Sequence, residues 1–310
     1  MIRRIRRFYQ KKVPLKVRMG IRNNVLRHFE AIYSSHNRNK YRKQIIKYCE
    51  SLPDDEEKKE VAEYLRNNKL TEYPYHFPEK YVDIEVEAKI DADGYPYLYH
   101  EGKKLYGKKS MGKNKFVHYY KCICAEQDPE SPHCYFTCKK RLPDESDIVA
   151  DLGVAEGNFS LEIIDKVKKI YLFEADEEWI EPLKRTFEPW KDKVVIINKF
   201  VSNKTDENNI QLDDFFKENE KATVIKADIE GSEMDMLDGA KESLNYVKKL
   251  FICAYHRKDD EKLIGEFMEK YNCDKQINSR YMIFLWEHPY CKMEFPFLRR
   301  GLMFFERQNR

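Results

Sequence analysis

From Asp147 onward, short apolar runs alternate with segments of helical periodicity. The runs are Ile148–Leu152, Ile170–Phe173, Val194–Ile197, Thr223–Ala227, Leu250–Ala254, Met282–Trp286 and Leu302–Phe305. Short, nearly continuous apolar runs between amphipathic stretches are the pattern of strands covered on both faces. Their alternation with helices predicts a doubly wound, mainly parallel sheet of seven strands.

Upstream the rhythm differs. Residues 81–120 alternate around the turn signals Asp93-Gly94 and Glu101-Gly102, which predicts a β-hairpin or meander. The acid-rich start Ser51-Leu-Pro-Asp-Asp-Glu-Glu57 predicts a helix running to about Lys69. Residues 1–50 carry Ile2, Ile5, Phe8 and Tyr9, then Val25, Leu26, Phe29, Ile32 and Tyr33, at helical spacing between basic residues. The chain therefore divides into a basic helical extension (1–80), a hairpin and lid-like segment (81–140) and an α/β domain (141–310).

Candidate chemistry gathers where the apolar runs end, the edge at which open α/β sheets bind ligands. The first run ends in Asp151, and the loop Gly153-Val-Ala-Glu156-Gly157-Asn158 leads into a helix. A pyrophosphate site would want three glycines and no acid. Asp151 and Glu156 instead suit the cationic parts of a zwitterionic, amino-acid-like cofactor. The second run ends in Glu174, followed by Ala175 and Asp176, and an acid there can accept both hydroxyls of a ribose.

The fourth run ends in Asp228-Ile-Glu230-Gly231-Ser-Glu233, and the fifth in Tyr255-His256. An acceptor hydroxyl that loses its proton as it attacks needs a base within reach. His256 is the first candidate, Asp228 the second and Glu230 the third, although the Glu-Gly turn can also serve only to shape the loop. The same three side chains are a candidate set for a divalent cation, which nothing in the sequence requires. Before the domain, the polar stretch 120–138 offers Glu126, Gln127, His133 and Tyr135 for substrate contact, or forms an ordinary surface loop. Its Cys122, Cys124, Cys134 and Cys138 lack the two-residue knuckle spacing of common zinc sites, so no metal is assigned and spare thiols are expected.

The ordered motifs Gly153 to Asn158, Phe173-Glu174-Ala175-Asp176, Leu212-Asp213-Asp214 and Ile225-Lys-Ala-Asp-Ile-Glu-Gly-Ser-Glu233 resemble those of the FkbM family of methyltransferases. The resemblance spans about residues 120–310, and its most specific part is the Lys-x-Asp-x-Glu-Gly-x-Glu run. It implies a Rossmann-like, seven-stranded class I methyltransferase fold, S-adenosylmethionine as cofactor, and O-methylation, often of sugars in glycans or natural products. The family's first loop usually reads Gly-Ala-Asn-x-Gly, so Glu156 here replaces a neutral residue.

Charge adds a partner question. The net charge of +3 conceals an N-terminal arm, residues 1–49, with 15 Lys/Arg against the single acid Glu30, so the remainder is strongly acidic. The arm can pack on the domain, lie on an anionic membrane surface, or bind RNA phosphates. The acidic body and the missing base-flipping signature weigh against nucleic acid, leaving RNA methylation or a non-catalytic scaffold as alternatives to a sugar or glycan O-methyltransferase. No run approaches the roughly 20 apolar residues of a membrane span, and the N-terminus lacks a secretory core. A cytoplasmic protein, peripheral at the inner membrane face if the arm binds lipid, is expected.

Overall fold

The computed structural model describes residues 27–285, 293 and 295–308, with side chains from residue 36. The apolar stripe read over residues 2–33 and the membrane contact expected of it lie outside the described side chains. The chain divides into two compact units, 1–74 with 284–297 and 75–283 with 298–310.

In the smaller unit, α1 (Arg27–Glu50) packs against α2 (Glu56–Asn67). Asp55 caps α2 by accepting the Lys58 N–H at 3.0 Å, and Glu56 and Glu57 sit at the positive end of the helix dipole. Val61, Ala62 and Leu65 form the buried stripe of α2, with Ile45 and Cys49 buried on α1. Arg42 donates to the carbonyls of Leu65 (2.9 Å) and Asn68 (3.0 Å), partners that the end of a helix lacks on its own.

The larger unit opens with an antiparallel sheet of β1 (Lys89–Ile90), β2 (Pro96–His100) and β3 (Lys103–Tyr106). Glu101 and Gly102, both at positive φ, make the two-residue turn between β2 and β3. The meander expected to run to residue 120 stops earlier, because α3 (Gly112–Glu126) buries Phe116 and Ile123, two turns apart on one helical face, and Ala125. Arg185 ties this sheet to the domain through Asp91 (2.6 Å) and Asp93 (2.9 Å).

The main sheet is built from β4 (Ile148–Leu152), α4 (Asn158–Ile163), β5 (Lys169–Phe173), α5 (Glu177–Phe187) and β6 (Val194–Ile197). A short parallel pair follows, β7 (Phe200–Val201) with β8 (Asn209–Ile210), and then α6 (Leu212–Glu218). The chain continues through β9 (Val224–Ala227), α7 (Glu233–Asp238), β10 (Lys249–Cys253), α8 (Asp260–Met268), β11 (Cys273–Ile277) and β12 (Leu302–Arg307). The order across the seven strands is β6-β5-β4-β9-β10-β12-β11. β12 alone runs against the direction of the other six strands. This is the seven-stranded, Rossmann-like sheet expected. Two buried clusters, one holding Ala150, Ile225 and Ile252 and the other Val149, Val224 and Phe251, account for the unbroken apolar runs.

One strand is misplaced in the sequence reading. The run beginning at Met282 contributes only an isolated bridge between Met282 and Arg299, and Trp286 lies outside the described residues. The edge strand is β11, Cys-Asp-Lys-Gln-Ile, whose partial exposure removes the need for an apolar run.

Candidate active site

Parallel register brings the ends of β4, β5 and β9 level, with Leu152 opposite both Phe173 and Ala227. A cleft of about 440 Å³ opens there, within the usual range for small-molecule sites. Six acids line it, Glu126, Glu156, Glu174, Asp176, Asp228 and Glu230, against Lys199 and Lys226. That balance suits a ligand with cationic groups.

Asp151 does not line the cleft. Fully buried, it accepts Ser160 Oγ at 2.7 Å and pairs with Lys226 Nζ at 3.1 Å. Lys226 also donates to the Gly153 carbonyl at 2.6 Å. Burial opposes its charge, but Asp151 and then Asp228 outweigh that and raise its pKa. Sequence reasoning gave Lys226 no role; its signal was a lysine inside an otherwise apolar strand, which must find a counter-charge. The glycines answer to protein packing as well. A Cβ on Gly153 (φ +72°) would lie 1.8 Å from the Asp228 carbonyl oxygen, and one on Gly157 would meet Phe187 at 2.8 Å.

Glu174 stands at the cleft wall. One carboxylate oxygen accepts the Ala155 N–H (2.8 Å) and the other the Asp176 N–H (2.7 Å). A carboxylate has about four lone-pair sites, so both oxygens keep capacity for a pair of ligand hydroxyls. Asn198 braces the turn through the carbonyls of Glu174 and Ala175. Asp176 caps α5 and is bonded to Lys108, which lowers its pKa. Asn158, the first residue of α4, also lines the cleft.

Glu156 is buried and accepts the Tyr119 hydroxyl at 2.5 Å. Burial pushes its pKa up to about 7, against the lowering effect of that bond. Tyr119, unassigned in the sequence, reaches the site because α3 lies over the cleft, which a local motif does not reveal.

Asp228 is the centre of the opposite wall. Its Oδ2 is 3.2 Å from both the Tyr135 hydroxyl and His133 Nε2. Its Oδ1 is 3.2 Å from the Tyr255 hydroxyl and 3.4 Å from His256 Nε2. Burial alone would raise its pKa, but His133, His256 and Lys226 hold it well below the usual carboxylate range. His133 is itself raised: burial opposes its charge, while Glu126, 3.2 Å from Nδ1, and Asp228 favour it. For His256, burial again opposes the charge, yet Glu233, Asp228 and Glu230 lift the pKa to about 9. That shift favours the protonated ring, the form without a lone pair to take an acceptor proton. Glu230 is exposed beside it, at φ +54°.

The stretch between α3 and β4 is held to the sheet by hydrogen bonds to its backbone. Asn278 donates to the carbonyls of Pro132 (3.1 Å) and Cys134 (2.7 Å), and the Leu302 N–H to Pro132 (3.0 Å). Glu126 and Tyr135 reach the cleft and His133 reaches Asp228. Gln127 turns away to receive the Tyr135 N–H at 3.1 Å. Cys122, Cys124, Cys134 and Cys138 form no metal-ligating group among the described residues. Asp213 receives the Ser243 N–H (2.7 Å) and Glu242 N–H (2.9 Å), so that motif is structural.

No helix among the described residues is long and apolar enough to cross a membrane. No curated protein matches the chain. Similar solved structures include an FkbM methyltransferase from Methylobacillus flagellatus KT, 19% identical, covering 62% of this chain and 54% of its own, with a TM-score of 0.43. The chain thus spans about half the length of that protein. Another is a putative methyltransferase from Streptococcus mutans in complex with SAH, 13% identical, covering 54% of this chain and 92% of its own, with a TM-score of 0.37. The family model of the methyltransferase FkbM domain matches residues 114–276, just over half of the chain and the span that holds Glu126, Glu156, Glu174, Asp228 and His256. The chain belongs to the FkbM methyltransferase family.

Proposed function

We propose that this methyltransferase uses S-adenosylmethionine to methylate a hydroxyl of a sugar or glycan intermediate. The observation that carries the reading is the pairing of two walls in one cleft. On one side are carboxylates suited to a cation and a ribose. On the other is the polar cluster around Asp228. S-Adenosylmethionine supplies an electrophilic methyl on a sulfonium. Glu174 fits its ribose hydroxyls, and Glu156 with the other cleft acids fits its positive charges.

The opposite wall fits a polyol. Tyr135 and Tyr255 bring hydroxyls, and Glu126, Asp228 and Glu230 bring acceptors, a density of polar groups matched by a sugar's several hydroxyls. Asp228, held ionised, accepts a hydrogen bond from the reacting hydroxyl and aligns its oxygen; such positioning supplies much of the rate in a displacement. A phosphate next to the reacting atom would meet repulsion from these acids, which disfavours RNA.

The test is transfer of a labelled methyl group from S-adenosylmethionine to free sugars, lipid-linked and nucleotide-linked glycans, and total RNA. Label recovered as a methyl ether on a glycan supports the reading. Label in RNA alone overturns the acceptor class, and absence of S-adenosylhomocysteine binding by calorimetry returns the scaffold alternative.

A further inference from the structure

Phe200, in β7, is a large apolar ring left 60% exposed in the wall of the cleft. Of the exposed large apolar side chains among the described residues, it alone lines the cleft. Single apolar rings on open surface are ordinary. A ring in a cleft wall is covered when the ligand enters, so its chemistry bears on what that ligand is.

The other rings on this side are taken up by the protein. Phe173, 1% exposed, packs edge-on against Phe215 with ring centres 5.1 Å apart. Trp179, 6% exposed, lies 5.9 Å from the Tyr119 ring and has Lys108 Nζ 4.8 Å from its own ring centre. The backbone around Phe200 is fixed. Its N–H donates to the Asn208 carbonyl at 2.9 Å, and the Ser202 N–H donates to the Ile210 carbonyl at 3.0 Å. The same stretch is tied to Glu174. The Glu174 N–H donates to the Ile197 carbonyl at 3.1 Å, and Asn198 donates to the carbonyls of Glu174 (2.8 Å) and Ala175 (3.2 Å). Only Lys199 separates Asn198 from the exposed ring.

In a nucleoside the base is attached to the ribose carbon beside the one that carries the 2′-hydroxyl. A ribose held by its hydroxyls on Glu174 therefore sets the base down next to that carboxylate. Stacking on an aromatic side chain suits any base, because every base has a π-face. We propose that Phe200 stacks on the heterocyclic base of the bound nucleoside and is a specificity-determining residue of the cofactor site. That the base is adenine rests on the S-adenosylmethionine reading; the stack itself requires only a nucleoside with its ribose at Glu174.

The test is calorimetric titration of S-adenosylhomocysteine, adenosine and S-ribosylhomocysteine into the full-length protein and its Phe200→Ala and Phe200→Trp variants. S-Ribosylhomocysteine keeps the ribose and the amino-acid arm but lacks the base. Removing a ring that stacks on a base lowers affinity about fivefold or more. The expected result is a loss of that size for S-adenosylhomocysteine and adenosine with Phe200→Ala, restored by Phe200→Trp. S-Ribosylhomocysteine should bind the Phe200→Ala variant as it binds the native protein. An unshifted Tm checks that the variants fold. S-Adenosylhomocysteine affinity unchanged by Phe200→Ala, or an equal loss for S-ribosylhomocysteine, overturns the proposal. Adenosine bound through Phe200 without S-adenosylhomocysteine binding upholds the stack and overturns the cofactor reading. Binding of neither adenine ligand by the native protein overturns both.

Discussion

His256 Nδ1 lies 2.9 Å from Glu233 Oε1, a carboxylate with no exposed surface. The pair fixes the ring's direction, and with it the side of the imidazole that meets Asp228. Glu233→Gln keeps the shape but removes the charge and lets the amide turn either way. A misplacement of about 1 Å at a reacting group can cost about 100-fold in rate. The expected outcome is that drop in kcat, with S-adenosylhomocysteine affinity within about twofold of the native protein. An unchanged kcat would remove Glu233 from the reaction.

Glu174 tests the other wall. Its two carboxylate oxygens each hold one backbone N–H and face the cleft. Bonds to a charged acceptor contribute about 1.5–3 kcal/mol each, so Glu174→Ala should weaken S-adenosylhomocysteine by roughly tenfold or more. Calorimetry reads the affinity, and an unshifted Tm checks the fold. Affinity equal to that of the native protein would move the ribose elsewhere.

Glu156 makes stability depend on pH. Burial raises its pKa from 4.5 to about 7 in the folded chain. As pH rises from about 4.5 to 7, the unfolded chain gives up this proton first, so folding weakens across that window and then levels. Gln does not titrate. Glu156→Gln should therefore show a Tm advantage at pH 8 that shrinks towards zero near pH 4. Thermal unfolding across this range decides it, and a Tm difference independent of pH would contradict the assignment.

Two glycines separate close approach from backbone conformation. Gly153 (φ +72°) has the Asp228 carbonyl 1.8 Å from its would-be Cβ, whereas Gly102 (φ +80°) has nothing within 4 Å. Gly102→Ala should cost about 1 kcal/mol, the price of a left-handed non-glycine. Gly153→Ala adds an overpacking clash of roughly 1–3 kcal/mol and spreads β4 from β9. Denaturant unfolding of both variants compares them; equal losses would show that the clash relaxes freely.

Six of the seven sheet strands were legible as apolar runs: five because a strand buried on both faces must be apolar throughout, and β6, a partly exposed edge strand, because its Val-Val-Ile-Ile is apolar all the same. β11 was not, since an edge strand with exposed positions can read Cys-Asp-Lys-Gln-Ile. The hairpin turn at Glu101-Gly102 was legible from local backbone chemistry. The helix Gly112–Glu126 was hidden behind a weak apolar face that includes Tyr119, one of the residues that reaches the cleft.

The sequence alone determined the α/β rhythm, the strand ends that carry acids, and the motif order of the family. These are local properties: side-chain period, turn chemistry and spacing survive in one dimension. Tertiary structure decided what each acid does. Asp151 faces Lys226 and Ser160 instead of the cleft, Glu174 faces the cleft, and Asp228 sits between His133 and His256. The raised pKa of His256 was equally beyond the sequence. It follows from burial set against three nearby carboxylates, one of them carried in by α7. Charge pairing and desolvation depend on distances between residues far apart in the chain, and only the folded arrangement sets those distances.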